Sequence, residues 1–355
     1  MKTYNNLFSS FISSSNFYNA FYKARKAKPY SYNTLNFQYD LEKNIYNIIN
    51  CLKNNNYSLC SKDYTTFIIY EPKKRIIKSL DFKHKVIQFA LYNIIEPIFE
   101  KSFIFHSYAC RKNKGTHKCI KNISKLVSKK STKYKFCLKC DVKKYFQSID
   151  HNILKRIISK KIKDKNILNI LNILINSDHS CFGNNKGIPI GNLSSQLFAN
   201  IYLNELDQYV KHKLKIKSYF RYMDDFIIFS DTKQKLYVYK SKIKAFLKKQ
   251  LILEIPNNKC SIYPISCGIN FLGYYIFKNN IRIRRKNYVN FIKRTKLLIN
   301  KYNLKLISFN KLKSSVCSYL GYCKLANTFK LNIKIFNNNF KNELYLFKNL
   351  TLKLK

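Results

Sequence analysis

The chain has no tryptophan, seven glycines, six prolines and only 18 acidic residues among its 355 positions. So little glycine and proline excludes collagen-like and low-complexity architectures, and makes each one present worth locating. The shortage of acid excludes an acidic tail or a solvating role. No uncharged run is long enough to cross a bilayer. The longest helical one, about 166–177, is short and rich in asparagine. The start, Met1-Lys2-Thr3-Tyr4-Asn5-Asn6, leads into serine- and asparagine-interrupted sequence rather than an apolar signal core. The expectation is a soluble, cytoplasmic protein with no membrane partner. Eleven cysteines at irregular spacing do not form a secreted disulfide framework. Cys137-x-x-Cys140 lacks a second such pair or nearby histidines and falls in a strand-like run, so it reads as structural thiols and not as a zinc site.

What is abundant is basic charge. Sixty-seven Lys and Arg leave a net charge of +49, which favours a polyanionic partner, nucleic acid or an anionic membrane surface. Part of the lysine content accompanies the Asn, Ile and Tyr of an AT-rich vocabulary, but that vocabulary does not explain the missing acids. The aromatics are dispersed through apolar segments rather than gathered on one amphipathic face, which disfavours the membrane. With 46% hydrophobic residues the chain is long enough to bury a core, and its length predicts roughly two or three domains.

Periodicity supplies an outline. Residues 1–58 read as polar helices, with Tyr18-x-x-Phe21-Tyr22 and Ile45-x-x-Ile48-Ile49 at helical spacing. A strand-like run at 65–70 precedes a basic turn, Glu71-Pro72-Lys73-Lys74-Arg75, and a second run at Ile76-Ile77; 82–99 is helical. A strand over 134–141 ends in Asp141, and a helix starts near Asp150, a good N-cap residue. Gly183, Gly187 and Gly191 punctuate a loop before one long helix over 193–214. Two strands, 218–222 and 226–229, flank Met223-Asp224-Asp225 as a hairpin with both carboxylates at its tip. A helix over 232–250, a hairpin over 267–284 turning at Asn279-Asn280, and basic amphipathic helices complete the chain. The layout is α+β: a small antiparallel sheet backed by helices, of the split βαβ kind.

Carboxylates at strand ends are conspicuous in a chain with so few. One Asp at a turn needs no function, but an adjacent pair with a third at a neighbouring strand end is a different matter. Hard oxygen ligands in a basic setting suit Mg²⁺, which keeps water or substrate phosphate in its shell. Two such ions activate an attacking 3′-hydroxyl and stabilise a leaving pyrophosphate. The residues alone therefore point to phosphoryl transfer on nucleic acid.

Tyr222-Met223-Asp224-Asp225 resembles the YxDD box of reverse transcriptases, and further segments match that family in order. Asp141-Val142-Lys143-Lys144-Tyr145-Phe146 resembles the first catalytic segment, whose aromatic, here Phe146, lies under the incoming sugar and collides with a 2′-hydroxyl. Lys73-Lys74-Arg75 resembles the fingers segment that grips the triphosphate, with Lys73 and Arg75 suited to phosphate. Ser107-Tyr108-Ala109-Cys110-Arg111 and Gly115-Thr116-His117 resemble the next fingers segment. There Arg111 would meet the template, and His117 would be structural or template-facing. Asn270-Phe271-Leu272-Gly273-Tyr274 resembles the primer grip, with Phe271, Leu272 and Gly273 against the primer. Lys259 takes the place of a lysine near the leaving pyrophosphate. Arg282, Arg284 and Arg285 lead into thumb-like helices that would track the duplex.

The resemblance, good over about 60–285, implies a right-hand polymerase: an α+β palm with an antiparallel sheet, fingers, and a short helical thumb. It divides the chain into an N-terminal helical extension (1–58), fingers and palm (59–283) and thumb (284–355). It implies RNA-directed DNA polymerase activity with two Mg²⁺ ions, or Mn²⁺ in their place, bridged by Asp141 and Asp224 with Asp225 as ligand or close support. RNA template, DNA or RNA primer and dNTPs would be the partners.

One departure narrows the family. Pro189-Ile190-Gly191-Asn192-Leu193-Ser194-Ser195-Gln196 has an apolar residue where many members carry Gln. The string resembles the reverse transcriptases of diversity-generating retroelements, which miscopy template adenines and work with a small basic accessory protein. Ile190, Gly191, Gln196 and Tyr222 would then line the nucleotide site. The short stretch after about 285, without a Cys/His cluster, argues against the extra regions of group II intron proteins, and no Val-Thr-Gly of retron enzymes occurs. A group II intron-like or defence-associated reverse transcriptase remains an alternative, as does a non-catalytic basic RNA-binding scaffold.

Overall fold

A computed structural model describes residues 2–70, 74–128, 133–177, 185–341 and 346. Lys73 and Gly183 lie outside the described residues. The N-terminal sequence folds as α1 (Phe8–Phe11), α2 (Ser14–Arg25), α3 (Tyr32–Tyr39) and α4 (Leu41–Lys53). The buried residues of α4 are Ile45, Ile48, Ile49 and Leu52, a single apolar stripe at helical spacing. β1 (Tyr64–Ile69) and β2 (Arg75–Leu80) form an antiparallel hairpin with Tyr64 opposite Leu80 and Ile69 opposite Arg75. α5 (Phe82–Glu100) follows, and the rings of Phe21, Phe37 and Phe82 meet against it with centroids 5.4–6.1 Å apart.

Next come α6 (Thr116–Val127), β3 (Phe136–Asp141), the single turn α7 (Tyr145–Ser148), α8 (His151–Ser159) and α9 (Lys165–Asn176). Asp150 caps α8 by accepting from the Ile153 N–H at 3.0 Å. Asp164 caps α9 through Ile167, while its other oxygen accepts from Leu7 and Phe8 and so ties down the N-terminus. α10 (Leu193–Gln208) is buried on nearly every side and ends in a π turn, Tyr209–Lys213, so the long helix expected over 193–214 changes pitch at its end. β4 (Tyr219–Tyr222), β5 (Asp225–Ser230), α11 (Lys233–Leu251) and β6 (Cys260–Pro264) follow.

The expected single hairpin over 267–284 is instead a meander: β7 (Ile269–Phe271), β8 (Tyr274–Ile276) and β9 (Ile281–Ile283), all antiparallel. Its first turn needs left-handed backbone at Leu272 (φ 47°) and Gly273 (φ 92°). The C-terminal helices are α12 (Arg285–Asn303), α13 (Phe309–Cys323) and α14 (Phe329–Asn339).

Four strands pair in the order β4-β5-β3-β6. Lys135 N–H donates to Ser230 and Val142 N–H to Asp224, so numbers rising along β3 meet numbers falling along β5. On its other edge, Ile265 N–H donates to Lys135 while the sulfurs of Cys140 and Cys260 lie 3.1 Å apart, again antiparallel. Cys137 and Cys140 fall on opposite faces of β3, as an odd spacing on a strand requires, and cannot share a metal.

Packing separates the chain into two units. The first comprises Met1–Cys110, Lys139–Ile227 and Tyr237–Ser261, with α5 and α10 at its centre. The second comprises Arg111–Leu138, Ile228–Leu236 and Ile262–Lys355. There α6 packs on β8 and α12 on α13, and Phe291 and Tyr319 stack at 3.7 Å and 7°. Among the described residues no helix is long and apolar enough to cross a membrane.

Candidate active site

β3 delivers Asp141 at its C-terminal end, and the two residues between β4 and β5 are Met223 and Asp224. The hairpin tip therefore carries one carboxylate, not two; Asp225 is the first residue of β5. Met223 is left-handed at φ 57°, unusual for a residue with a Cβ, and the Asp224 carbonyl accepts the Val142 N–H at 3.3 Å. This bond locks the tip to the end of β3.

Electrostatics place four groups in one neighbourhood. Burial, and then the negative charge of Asp141, push the Asp224 carboxyl above its ordinary pKa, while Lys259 and Arg75 pull the other way. Lys259 Nζ donates to Asp141 Oδ1 at 2.5 Å, both side chains being about two-fifths exposed. Asp225 faces Lys139 on the adjoining strand, at 3.9 Å. Among the described residues no three His, Cys, Asp or Glu side chains converge as a metal cluster. Two carboxylates that disfavour each other's charge are nonetheless a donor set that fits Mg²⁺, which is held in phosphoryl-transfer sites by one or two carboxylates plus water and phosphate. Asp141 and Asp224 offer two such carboxylates, and Asp225 follows Asp224 in sequence.

The strap 187–191 lies against the same region. Gly187 N–H donates to Ile149, Ile188 N–H to Phe146, and Lys78 N–H on β2 to Ile190. Gly191 (φ 124°) leaves no room for a side chain: a Cβ there would meet Ile77 Cγ2 at 2.8 Å and the Lys78 carbonyl at 3.0 Å. Backbone bonds thus tie α7, the strap and β2 together, with Phe146, Ile190 and Gly191 at these joints and Arg75 three residues from Lys78 at the start of β2. Phe146 and Ile190 are half-buried, and Arg75 is exposed at the start of β2. Gln196 is exposed on the first turns of α10, and Tyr222 is half-buried at the end of β4.

The remaining sequence-predicted residues belong to the second unit. Phe271 is fully buried, and Gly273 is held by α13: Tyr322 Oη donates to the Gly273 carbonyl at 2.5 Å and accepts from Asn287 Nδ2 at 2.7 Å. Arg282 is exposed, with its guanidinium 5.2 Å over the Phe277 ring; Arg284 N–H donates to Gly273, and Arg285 opens α12. Arg111 is half-buried, and His117 lies edge-on to Tyr274 at 6.4 Å.

Sequence reasoning missed Arg221 and Asp207. Both are completely buried and form a bidentate pair, 2.6 and 2.8 Å, with Arg221 two residues before the hairpin tip and Asp207 in α10. An arginine inside an apolar strand was the available signal.

Residues 62–276 match the family model of the reverse transcriptase (RNA-dependent DNA polymerase) domain. The chain belongs to the reverse transcriptase family. Among curated relatives, Protein YkfC of Escherichia coli (strain K12) is 24% identical over 56% of this chain and 62% of its own length. The group II intron-encoded protein LtrA of Lactococcus lactis subsp. cremoris is 26% identical, over 58% of this chain and 44% of its own. The putative COX1/OXI3 intron 2 protein of Saccharomyces cerevisiae is 30% identical, over 38% and 16%. The chain spans less than two thirds of the length of each. Apo telomerase from Candida Tropicalis, truncated from its C-terminal domain, superposes with TM-score 0.46 and 14% identity over 62% of this chain and 55% of that one.

Proposed function

We propose that this reverse transcriptase family member is an active RNA-directed DNA polymerase that extends a DNA or RNA primer on an RNA template. The observation that carries the reading is the shared electrostatic neighbourhood of Asp141, Asp224, Lys259 and Arg75. The primer 3′-oxygen attacks the α-phosphate of a dNTP, a new P–O bond forms, and the bond to pyrophosphate breaks. Divalent ions held by Asp141 and Asp224 would supply charge neutralisation at that phosphate. Arg75 supplies forked contacts to the triphosphate. Lys259 trades Asp141 for the pyrophosphate oxygens. Phe146 excludes a 2′-hydroxyl by its ring. Leu272 and Gly273 hold the primer; Phe271, expected there too, is fully buried and only supports that turn from beneath. Arg111 meets the template, and Arg282, Arg284 and Arg285 follow the duplex. Residues 1–58, 59–283 and 284–355 act as extension, fingers with palm, and thumb. The test is dNTP incorporation on a primed RNA with Mg²⁺ by wild type and Asp224→Asn. Incorporation abolished by the substitution supports the reading, whereas an inactive wild type that still binds RNA tightly favours a basic scaffold.

Within that activity we propose error-prone copying of the diversity-generating kind, in the cytoplasm and with a small basic accessory protein. Ile190 supports it: an apolar side chain encloses a nascent pair but offers no hydrogen bond, and enclosure discriminates less well than hydrogen bonding. The intron-encoded relatives favour a group II intron-like enzyme instead. Product sequencing separates the two. Ile190→Gln lowers misincorporation opposite template adenine under the first reading and leaves the error spectrum unchanged under the second.

A further inference from the structure

Directly under the turn that carries Asp224 lies a polar network inside an otherwise apolar interior. Arg221 Nη2 and Nε donate to the two carboxylate oxygens of Asp207, in the last turn of α10, and Tyr219 Oη donates to the same carboxylate at 2.8 Å. The remaining nitrogen, Nη1, donates to Asn200 Oδ1 at 3.1 Å and to the Met223 carbonyl at 3.2 Å. Asn200 in turn donates to the Ala109 carbonyl at 2.9 Å. The Arg221 backbone is held as well, its N–H donating to His106 and its carbonyl accepting from Tyr108. Arg221 therefore has no freedom of position, and its one nitrogen outside the carboxylate fork is aimed at the hairpin tip.

A buried ion pair adds little net stability, because desolvation offsets the attraction. The fork alone therefore does not account for this arrangement. The bond to Met223 does. Met223 has the left-handed backbone that its Cβ disfavours, and its carbonyl belongs to the peptide that leads into Asp224. We propose that Arg221, clamped by Asp207, is a positioning residue: it holds the Met223–Asp224 peptide and so aims the Asp224 carboxylate at the reaction centre. Arginine is required, because a lysine ammonium cannot make the planar fork and reach the carbonyl at once. This inference rests on the polymerase reading for its consequence, but not for its geometry.

The test uses the full chain carrying either Arg221→Lys or the pair Asp207→Leu with Arg221→Met. The pair removes both charges together and is the substitution most compatible with folding, since apolar replacements of a buried ion pair are often neutral or stabilising. Three quantities are read: thermal unfolding, kcat and KM for dNTP, and Mn²⁺ affinity without nucleotide by electron paramagnetic resonance. Partners that orient a metal ligand typically carry 10–100-fold of affinity or activity, so folded variants should lose about tenfold or more in kcat and in Mn²⁺ affinity, with KM for dNTP nearly unchanged. A folded variant with wild-type kcat and Mn²⁺ affinity overturns the proposal. If the double variant does not fold, Arg221→Lys decides. If wild type incorporates no dNTP, the polymerase reading falls, yet the Mn²⁺ titration still tells whether Arg221 aims Asp224.

Discussion

Gly191→Ala tests how the strap is seated against β2. Two effects add. First, a φ of 124° is strained for any L side chain, at about 1–3 kcal/mol. Second, the new Cβ would stand 2.8 Å from Ile77 Cγ2 and 3.0 Å from the Lys78 carbonyl. The methyl can rotate away, but Lys78 is fixed, since its own N–H is bonded to Ile190 at 2.9 Å. Overpacking of this kind costs about 1–3 kcal/mol, giving a total of roughly 2–6 kcal/mol. Gly115 isolates the first effect: its φ is 99° but nothing lies within 4 Å of its would-be Cβ, so Gly115→Ala should lose only about 1–3 kcal/mol. Gly321, exposed in α13 with open space around it, should gain about 0.5–1 kcal/mol as alanine. Urea unfolding of the three variants gives the order directly. Gly191→Ala should also raise KM for dNTP, because the displaced strap carries Ile190. If Gly191→Ala is no less stable than Gly115→Ala, the strap does not seat on β2 as described.

Three further outcomes are expected. Asp224 has a raised pKa, so the folded state binds its proton more tightly than the unfolded one, and stability is lost as pH rises from the ordinary carboxyl value through the raised one. Asp224→Asn should therefore unfold at a higher temperature than wild type at pH 7, with the gap closing below about pH 4, as differential scanning calorimetry at several pH values would detect; a gap independent of pH would contradict the cause given. Lys259→Met frees Asp141 from its lysine and should tighten Mn²⁺ binding without nucleotide while lowering kcat by about 10²-fold or more; unchanged Mn²⁺ affinity would count against the competition. Binding to a primed template should fall steeply with salt, and Arg282→Ala and Arg285→Ala should each reduce the logarithmic slope by about 1, measured by fluorescence anisotropy; an unaltered slope would take these residues off the duplex path.

The carboxylates were legible because acid is rare in this chain, and Asp141 and Asp224 stand out by their places at the ends of apolar runs. α8 was legible from its cap, and α5 and α11 from their lengths and periodicity. The turn from β8 to β9 at Asn279-Asn280 was legible, but β7 as a separate strand was not, since three-residue strands show too few alternations and Leu272-Gly273 is not a familiar hairpin pair. Lys259 was found only through its place in a motif, because nothing in composition distinguishes one lysine among so many. Arg221 and Asp207 escaped for a different reason. Their meeting is a packing event, α10 passing beneath β4, and neither residue announces its partner. Placing both hairpin acids at the tip was an error of one residue: the turn needs only two residues, and Asp225 already begins the pairing of β5.

The stacked pair Phe291–Tyr319 and the half-buried ring of Phe146 also make the protein unusually open to spectroscopy. With no tryptophan in the chain, no indole emission has to be removed before one is introduced. Tyr319→Trp would place a sole indole in the helical core of the second unit, and Phe146→Trp would place one in α7 of the first. Each unit could then be watched alone during unfolding or nucleotide binding, at wavelengths where the natural chain's tyrosines are not excited.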